Sequence, residues 1–223
     1  MNQDFSWLKN TTFIMGEKTV DAVDLAMRAM TSKDATAAAA ARKIENQVDF
    51  LCYEINEHCM GSLAATTCSR SKVNFVVGSM KIARELERIC DYANQIAQMV
   101  QNKFSQQDME LLSPLHEPAI KMKDESLEML WAAMKCYEGL DCNLTHQIID
   151  RDTLVDKRNR DLFRDMLCIV SVHPWVQETI MDYYVAIRYI ERVADRATNI
   201  AKLVYYIVLG EMFPKGKPIE GCE

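Results

Sequence analysis

Arg84–Ala97 reads RELERICDYANQIA and Arg188–Ala201 reads RYIERVADRATNIA. Seven of the fourteen positions are identical: Arg84, Glu87, Arg88, Asp91, Ala93, Ile96 and Ala97 each match the residue 104 positions on (188 − 84). A second register, at an offset of 107 (152 − 45), sets Glu45 and Asp49 on Asp152 and Asp156, and Met15, Ala26 and Met27 on Met122, Ala133 and Met134. The change in offset is a change in loop length. Self-similarity at so long a period means that one supersecondary unit is used twice.

Working outward from the repeat, apolar residues recur at helical spacing. Met15–Met30 predicts a first helix, Asp34 or Ala35 to Met60 a second that stops at Gly61, and Ser69–Ser71 onward a third through Val100. Between Ser105 and Pro118 the pattern loosens. Pro114 and Pro118 are expected to break regular helix there and to mark the boundary between copies. A fourth helix is predicted from Ala119 to Tyr137, ended by Gly139, and a fifth from Leu144 to about Ile169. His173 and Pro174 then open a sixth, with the histidine as a cap, and it runs to Val208 before Gly210. The predicted fold is all-α, two tandem pseudo-symmetric three-helix bundles of six long helices. The units span residues 1–105 and 106–210, with a polar tail at 211–223.

Composition agrees. Glycine and proline, 7 and 5 of 223 residues, make up about 5% of the chain against roughly 12% in average usage, too few for a turn-rich β fold. A net charge of −6 argues against nucleic-acid binding, which needs a clustered basic face. The most apolar stretch, Leu203–Leu209, is far shorter than the roughly 20 residues of a membrane span. Eight cysteines contain no CxxC pair, and polar Asn2, Gln3 and Asp4 stand where an export signal would be basic and then apolar. Reduced thiols acting as small hydrophobes in a cytoplasmic protein are therefore expected.

Four acidic pairs occupy equivalent places in the two copies: Glu45 with Asp49, Glu87 with Asp91, Asp152 with Asp156, and Glu191 with Asp195. The i, i+4 spacing puts both carboxylates on one helix face, about 6 Å apart along the axis, at a cost of a few tenths of a kcal/mol. Random placement of the 32 acids would give about four or five such pairs among 223 residues, and the chain has eight, so one pair alone says little. The ordinary reading is a solvated face with local ion pairs, because Arg84, Arg88, Arg188 and Arg192 each precede an acid of the pairs by three residues. Repetition on the second and third helix of each copy favours a different one. Antiparallel neighbours can join two pairs into a four-carboxylate patch, which repels itself unless a cation or protons enter. Oxygen ligands suit Mg, Ca and Mn, with Fe also possible and Zn less favoured. None of the four histidines follows a glutamate by three residues, so the di-iron Glu-x-x-His pattern is missing, as are phosphate-loop, dinucleotide and nucleophile-elbow motifs.

At these residues the chain resembles the PhoU family of phosphate-uptake regulators. The likeness is carried by YIERVADRATNIAKLVYYIVLGE (Tyr189–Glu211) and MKIARELERICDYANQIA (Met80–Ala97). It extends to MGEKTVDAVDLAMRAM, IENQVDFLCYEI and IIDRDTLVDKRNRDLF. The chain departs from the family at Ser62–Val73, SLAATTCSRSKV, and has Gln95 where the second copy has Asn199. The resemblance implies two three-helix bundles whose acidic motifs bind metal clusters through Glu45, Asp49, Glu87, Asp91, Asp152, Asp156, Glu191 and Asp195. It also implies a cytoplasmic negative regulator, not an enzyme, that pairs as a homodimer. Its expected partners are the ATPase subunit of a phosphate ABC transporter and a sensor histidine kinase. The alternatives are a metal-storing scaffold and a metal-dependent hydrolase.

Overall fold

The computed structural model describes residues 3–64, 69–103 and 106–214. Six long helices follow one another: α1 (Gln3–Ser32), α2 (Ala35–Ala64), α3 (Arg70–Lys103), α4 (Gln106–Gly139), α5 (Thr145–Val172) and α6 (Gln177–Leu209). A single 3₁₀ turn, Pro174–Val176, leads into α6. Helices α1, α2 and α3 pack on one another, as do α4, α5 and α6, and the two units join where α3 lies on α6 and α1 on α4. No described helix is long and apolar enough to cross a membrane.

The pseudo-equivalent residues serve equivalent ends. Met15 and Met122, Ala26 and Ala133, and Met27 and Met134 are all buried, so the repeat is a repeat of core positions. Each large side chain taken from water contributes roughly 1.5–3 kcal/mol. Two polar contacts tie the join. Tyr137 of α4 shares a 2.7 Å hydrogen bond with Ser79 of α3, and Lys123 of α4 donates to Asp24 of α1 at 2.6 Å.

Helix ends follow local chemistry. Asp34 accepts the backbone N–H groups of Thr36 and Ala37 at 2.9 and 3.0 Å and so caps α2. Gly210, at φ 73°, closes α6 with its N–H on the Tyr206 carbonyl. Leu140, at φ 50°, makes the corresponding left-handed turn after α4.

Several boundaries differ from the sequence reading. Helix α1 begins at Gln3, well before Met15. Helix α2 runs through Gly61 to Ala64, because a glycine with open space around it weakens a helix by about 1 kcal/mol without ending it. Pro114 and Pro118 lie inside α4, which starts at Gln106. Pro114 is exposed and Pro118 half-buried, so neither sits in the core face of the helix. Leu112, Leu115, Ala119 and Met122 meanwhile anchor that face. His173 closes α5 through its backbone N–H on Ile169, and its side chain makes no capping hydrogen bond. Cys52, Cys59, Cys90 and Cys136 are buried free thiols, as expected, whereas Cys168 is exposed. Cys68, Cys222 and the tail from 215 lie outside the described residues.

The α3–α6 contact is close at Gly78, where an added Cβ would stand 2.3 Å from Cγ1 of Ile207. Gly78→Ala should therefore destabilise the protein by about 1–3 kcal/mol in urea unfolding, despite alanine's better helix propensity. In a double-mutant cycle with Ile207→Ala, which removes both Cγ1 and Cδ1, the cost of Gly78→Ala should shrink.

Candidate metal centre

In the first copy the acids come from two adjacent helices, Glu45 and Asp49 from α2 and Glu87 and Asp91 from α3. One carboxylate oxygen each from Glu45, Asp49 and Asp91 lie within 4.8 Å of one another. Asn94 donates to Glu45 at 3.0 Å, and Gln98 in turn donates to the Asn94 carbonyl oxygen at 3.2 Å. Arg84 pairs with Glu87 through Oε1, leaving Glu87 Oε2 buried with no hydrogen-bond donor among the described residues.

This crowding raises the proton affinity of the set. Burial and the neighbouring Asp49 raise Glu45, with the Asn94 hydrogen bond opposing. Burial also raises Glu87, Arg84 opposes it, and Asp91 and Asp49 add to it. Asp91 is raised by burial and Asp49 and held back by Arg84 and Arg88. Beneath them Cys90 is pushed up by burial and then by all four carboxylates, which keeps its thiol protonated. The donors on offer are oxygens, a set that fits hard cations.

The second copy repeats the arrangement with Asp152 and Asp156 on α5 and Glu191 and Asp195 on α6. Burial raises Asp152 to about 6, with Asp195, Asp156 and Glu191 adding to the effect and Lys202 opposing it. Burial raises Glu191 as well, against Arg188 and with Asp195 and Asp156. Asn159 donates to Glu191 at 3.1 Å. These four acids sense one another across the helix pair, but among the described residues the tight three-oxygen group forms in the first copy alone.

The ion-pair reading holds for half of the arginines. Arg84 and Arg188 do pair with Glu87 and Glu191. Arg88 approaches Glu85 at 3.9 Å instead of Asp91, and Arg192 lies over the rings of Tyr92 and Tyr189 instead of beside Asp195. Acids of the other pairs behave as ordinary surface charge: Asp124, Glu128 and Asp161 meet Lys123, Arg151 and Arg164. The bracing amides Asn94 and Asn159 were not picked out from sequence. They occupy non-equivalent places, since the counterpart of Asn94 is Thr198 and that of Asn159 is Cys52.

The sequence profile of the PhoU domain matches residues 13–100 and again 119–204, one match per bundle. The chain belongs to the PhoU family. Among its curated relatives is the phosphate-specific transport system accessory protein PhoU of Edwardsiella tarda, 26% identical over 95% of this chain and 86% of the relative. The protein of that name from Escherichia coli K12 is 24% identical over the same shares. Crystal structures of two family members share the fold. PhoU from Pseudomonas aeruginosa superposes with a TM-score of 0.81 at 23% identity, covering 94% of this chain and 99% of that one. The phosphate transport system regulatory protein PhoU from Streptococcus pneumoniae gives 0.79 at 21% identity over 94% and 97%.

The raised Asp152 sets a pH dependence. Its proton is held more tightly in the folded state than at an aspartate's ordinary 3.8, so the fold loses stability as pH rises from about 4 through 6. Asp152→Asn removes that loss. In chelator-treated protein it should raise the Tm above pH 6 by on the order of 1–2 °C, given solvent screening, and the gain should vanish below about pH 4.

Proposed function

We propose that this protein is a cytoplasmic, non-enzymatic accessory protein of phosphate transport that binds hard metal ions on its two carboxylate sets and restrains uptake and phosphate-starvation signalling by contact. The observation that carries the metal half of this reading is the meeting of Glu45, Asp49 and Asp91 oxygens within 4.8 Å on a helical surface. Such a group is self-repelling without a cation or protons.

A metal ion bound there would supply positive charge that relieves the repulsion and fixes the two helices together. Glu45, Asp49 and Asp91 would hold it, with the buried free oxygen of Glu87 as a further donor. Asn94 orients Glu45, and Arg84 holds Glu87 toward the set. Glu191, Asp195, Asp152 and Asp156 would serve the second copy, with Asn159 as the orienting amide. Magnesium, calcium and manganese suit these oxygens best, iron fits them next, and zinc is the least suited.

The transport half rests on family membership and on the names of the relatives, which are accessory and regulatory proteins of phosphate transport. The partners that fit this role are the ATPase subunit of the phosphate transporter and the cytoplasmic part of a sensor kinase, met by a homodimer of this chain.

Elemental analysis after metal soaking and desalting tests the first half. The parent should retain metal, Glu45→Gln with Asp91→Asn should lose the first-copy share, and Glu191→Ala with Asp195→Ala the second, with helicity unchanged in both. Equal metal in parent and variants would return these acids to ordinary surface charge. Affinity capture from phosphate-replete cells tests the second half. Transporter and kinase subunits should co-purify, and a deletion strain should express starvation genes in high phosphate. Metal retention without those partners would point to a storage scaffold, and metal-dependent phosphoester turnover to a hydrolase.

A further inference from the structure

A cavity of about 570 Å³ opens where the two bundles join, walled by α3 and α6, floored by Ile149 of α5 and closed at one side by Met212–Pro214 beyond α6. Its polar rim is cationic in a chain whose net charge is −6: Lys81, Arg84 and Arg88 come from α3 and Lys202 from α6. The one acid in the lining, Glu85, is already engaged. It accepts Arg196 at 3.1 Å and Asn199 at 3.4 Å and lies 3.9 Å from Arg88. Lys81 and Lys202 have no ion-pair partner among the described residues, and Lys81 rests over the Tyr206 ring at 6.0 Å. Arg84 spends one nitrogen on Glu87, and a guanidinium has five N–H donors.

The rest of the wall is apolar or aromatic, with Leu203, Tyr206 and Phe213 beside Ile149. Four cations lining one cavity repel one another in the absence of an anion, and the volume falls in the range of small-molecule sites, well above what inorganic phosphate alone would fill. We propose that this inter-bundle cavity binds a small organic phosphate of the nucleotide class, its phosphates on Lys81, Arg84, Arg88 and Lys202 and its planar body on Tyr206 and Phe213. The binding group is the phosphate, which could also arrive as free inorganic phosphate, and the apolar wall decides for the organic form. Lys81 and Lys202 set the affinity, because their charge is not shared with any carboxylate in ion-pair contact. The site shares Arg84 with the first carboxylate set and Lys202 acts on Asp152 of the second, so it is tested with metal removed.

The test is calorimetric titration of the full chain in chelator, so that no bridging metal recruits ligand to the acids, with ADP, inorganic phosphate and adenosine as probes. ADP should bind with a Kd of roughly 100 µM or tighter, and phosphate and adenosine each at least roughly tenfold more weakly. Lys81→Glu with Lys202→Glu should weaken ADP binding roughly tenfold or more at unchanged helicity. Lys72→Glu, at a separate basic-edged cavity, should leave it unchanged. The proposal is overturned if ADP fails to bind, if inorganic phosphate binds as tightly as ADP, or if the double variant binds ADP like the parent.

Discussion

Everything in this molecule hangs on the packing of α3 against α6. The two helices that carry the repeated motif lie against each other across a pseudo-twofold contact, close enough for Gly78 to have no room for a side chain beside Ile207. A two-fold contact pairs each position with the counterpart of another. Here Glu85 meets Arg196, and the equivalent pair, Tyr189 with Tyr92, stacks at 5.5 Å beneath Arg192. The same geometric slot is thus filled by an ion pair on one side of the axis and by aromatic rings on the other.

Several of the motif positions follow that division, although Arg88 and Arg192 match while Arg192 crosses to Tyr92 of the other copy. Glu87 and Asp91 are identical to Glu191 and Asp195 because they belong with the neighbouring helix of their own bundle, where both copies place a second pair of acids. Glu85 and Tyr92 differ from Tyr189 and Arg196 because they face the other copy, where complementarity and not identity is required. Alanines at 93, 97, 197 and 201 are buried on these helices and leave room for close packing on both faces.

Much of this was readable from residue spacing. Six helices, their order and the two-copy plan follow from apolar periodicity and the 104 and 107 offsets. The errors share one cause, in that local breakers were weighed without their tertiary setting. Pro114 is exposed and Pro118 half-buried while Leu112 and Leu115 are buried, and that burial outweighs two lost hydrogen bonds. Gly61 likewise stays helical inside a packed α2. For the carboxylates, i, i+4 spacing identified the helix faces, but which pairs converge depends on which helices are neighbours. Spacing alone therefore could not separate Asp91, beside Glu45 and Asp49, from Asp161, which pairs with Arg164 on its own helix. Nor could it foresee Asn94 and Asn159, whose amides reach across from different helices of the unit in the two copies.

Each carboxylate set straddles a seam between an inner helix of the α3–α6 pair and an outer one, α2 or α5. Beneath the acids that seam is apolar, with Val48, Val155 and Ile190 buried, while above it the acids of the two helices raise one another's proton affinity. The outer helices are therefore sprung. Carboxylates left charged and unbalanced load the spring and their neutralisation releases it, so the packing of each outer helix is the part of its bundle that depends on charge.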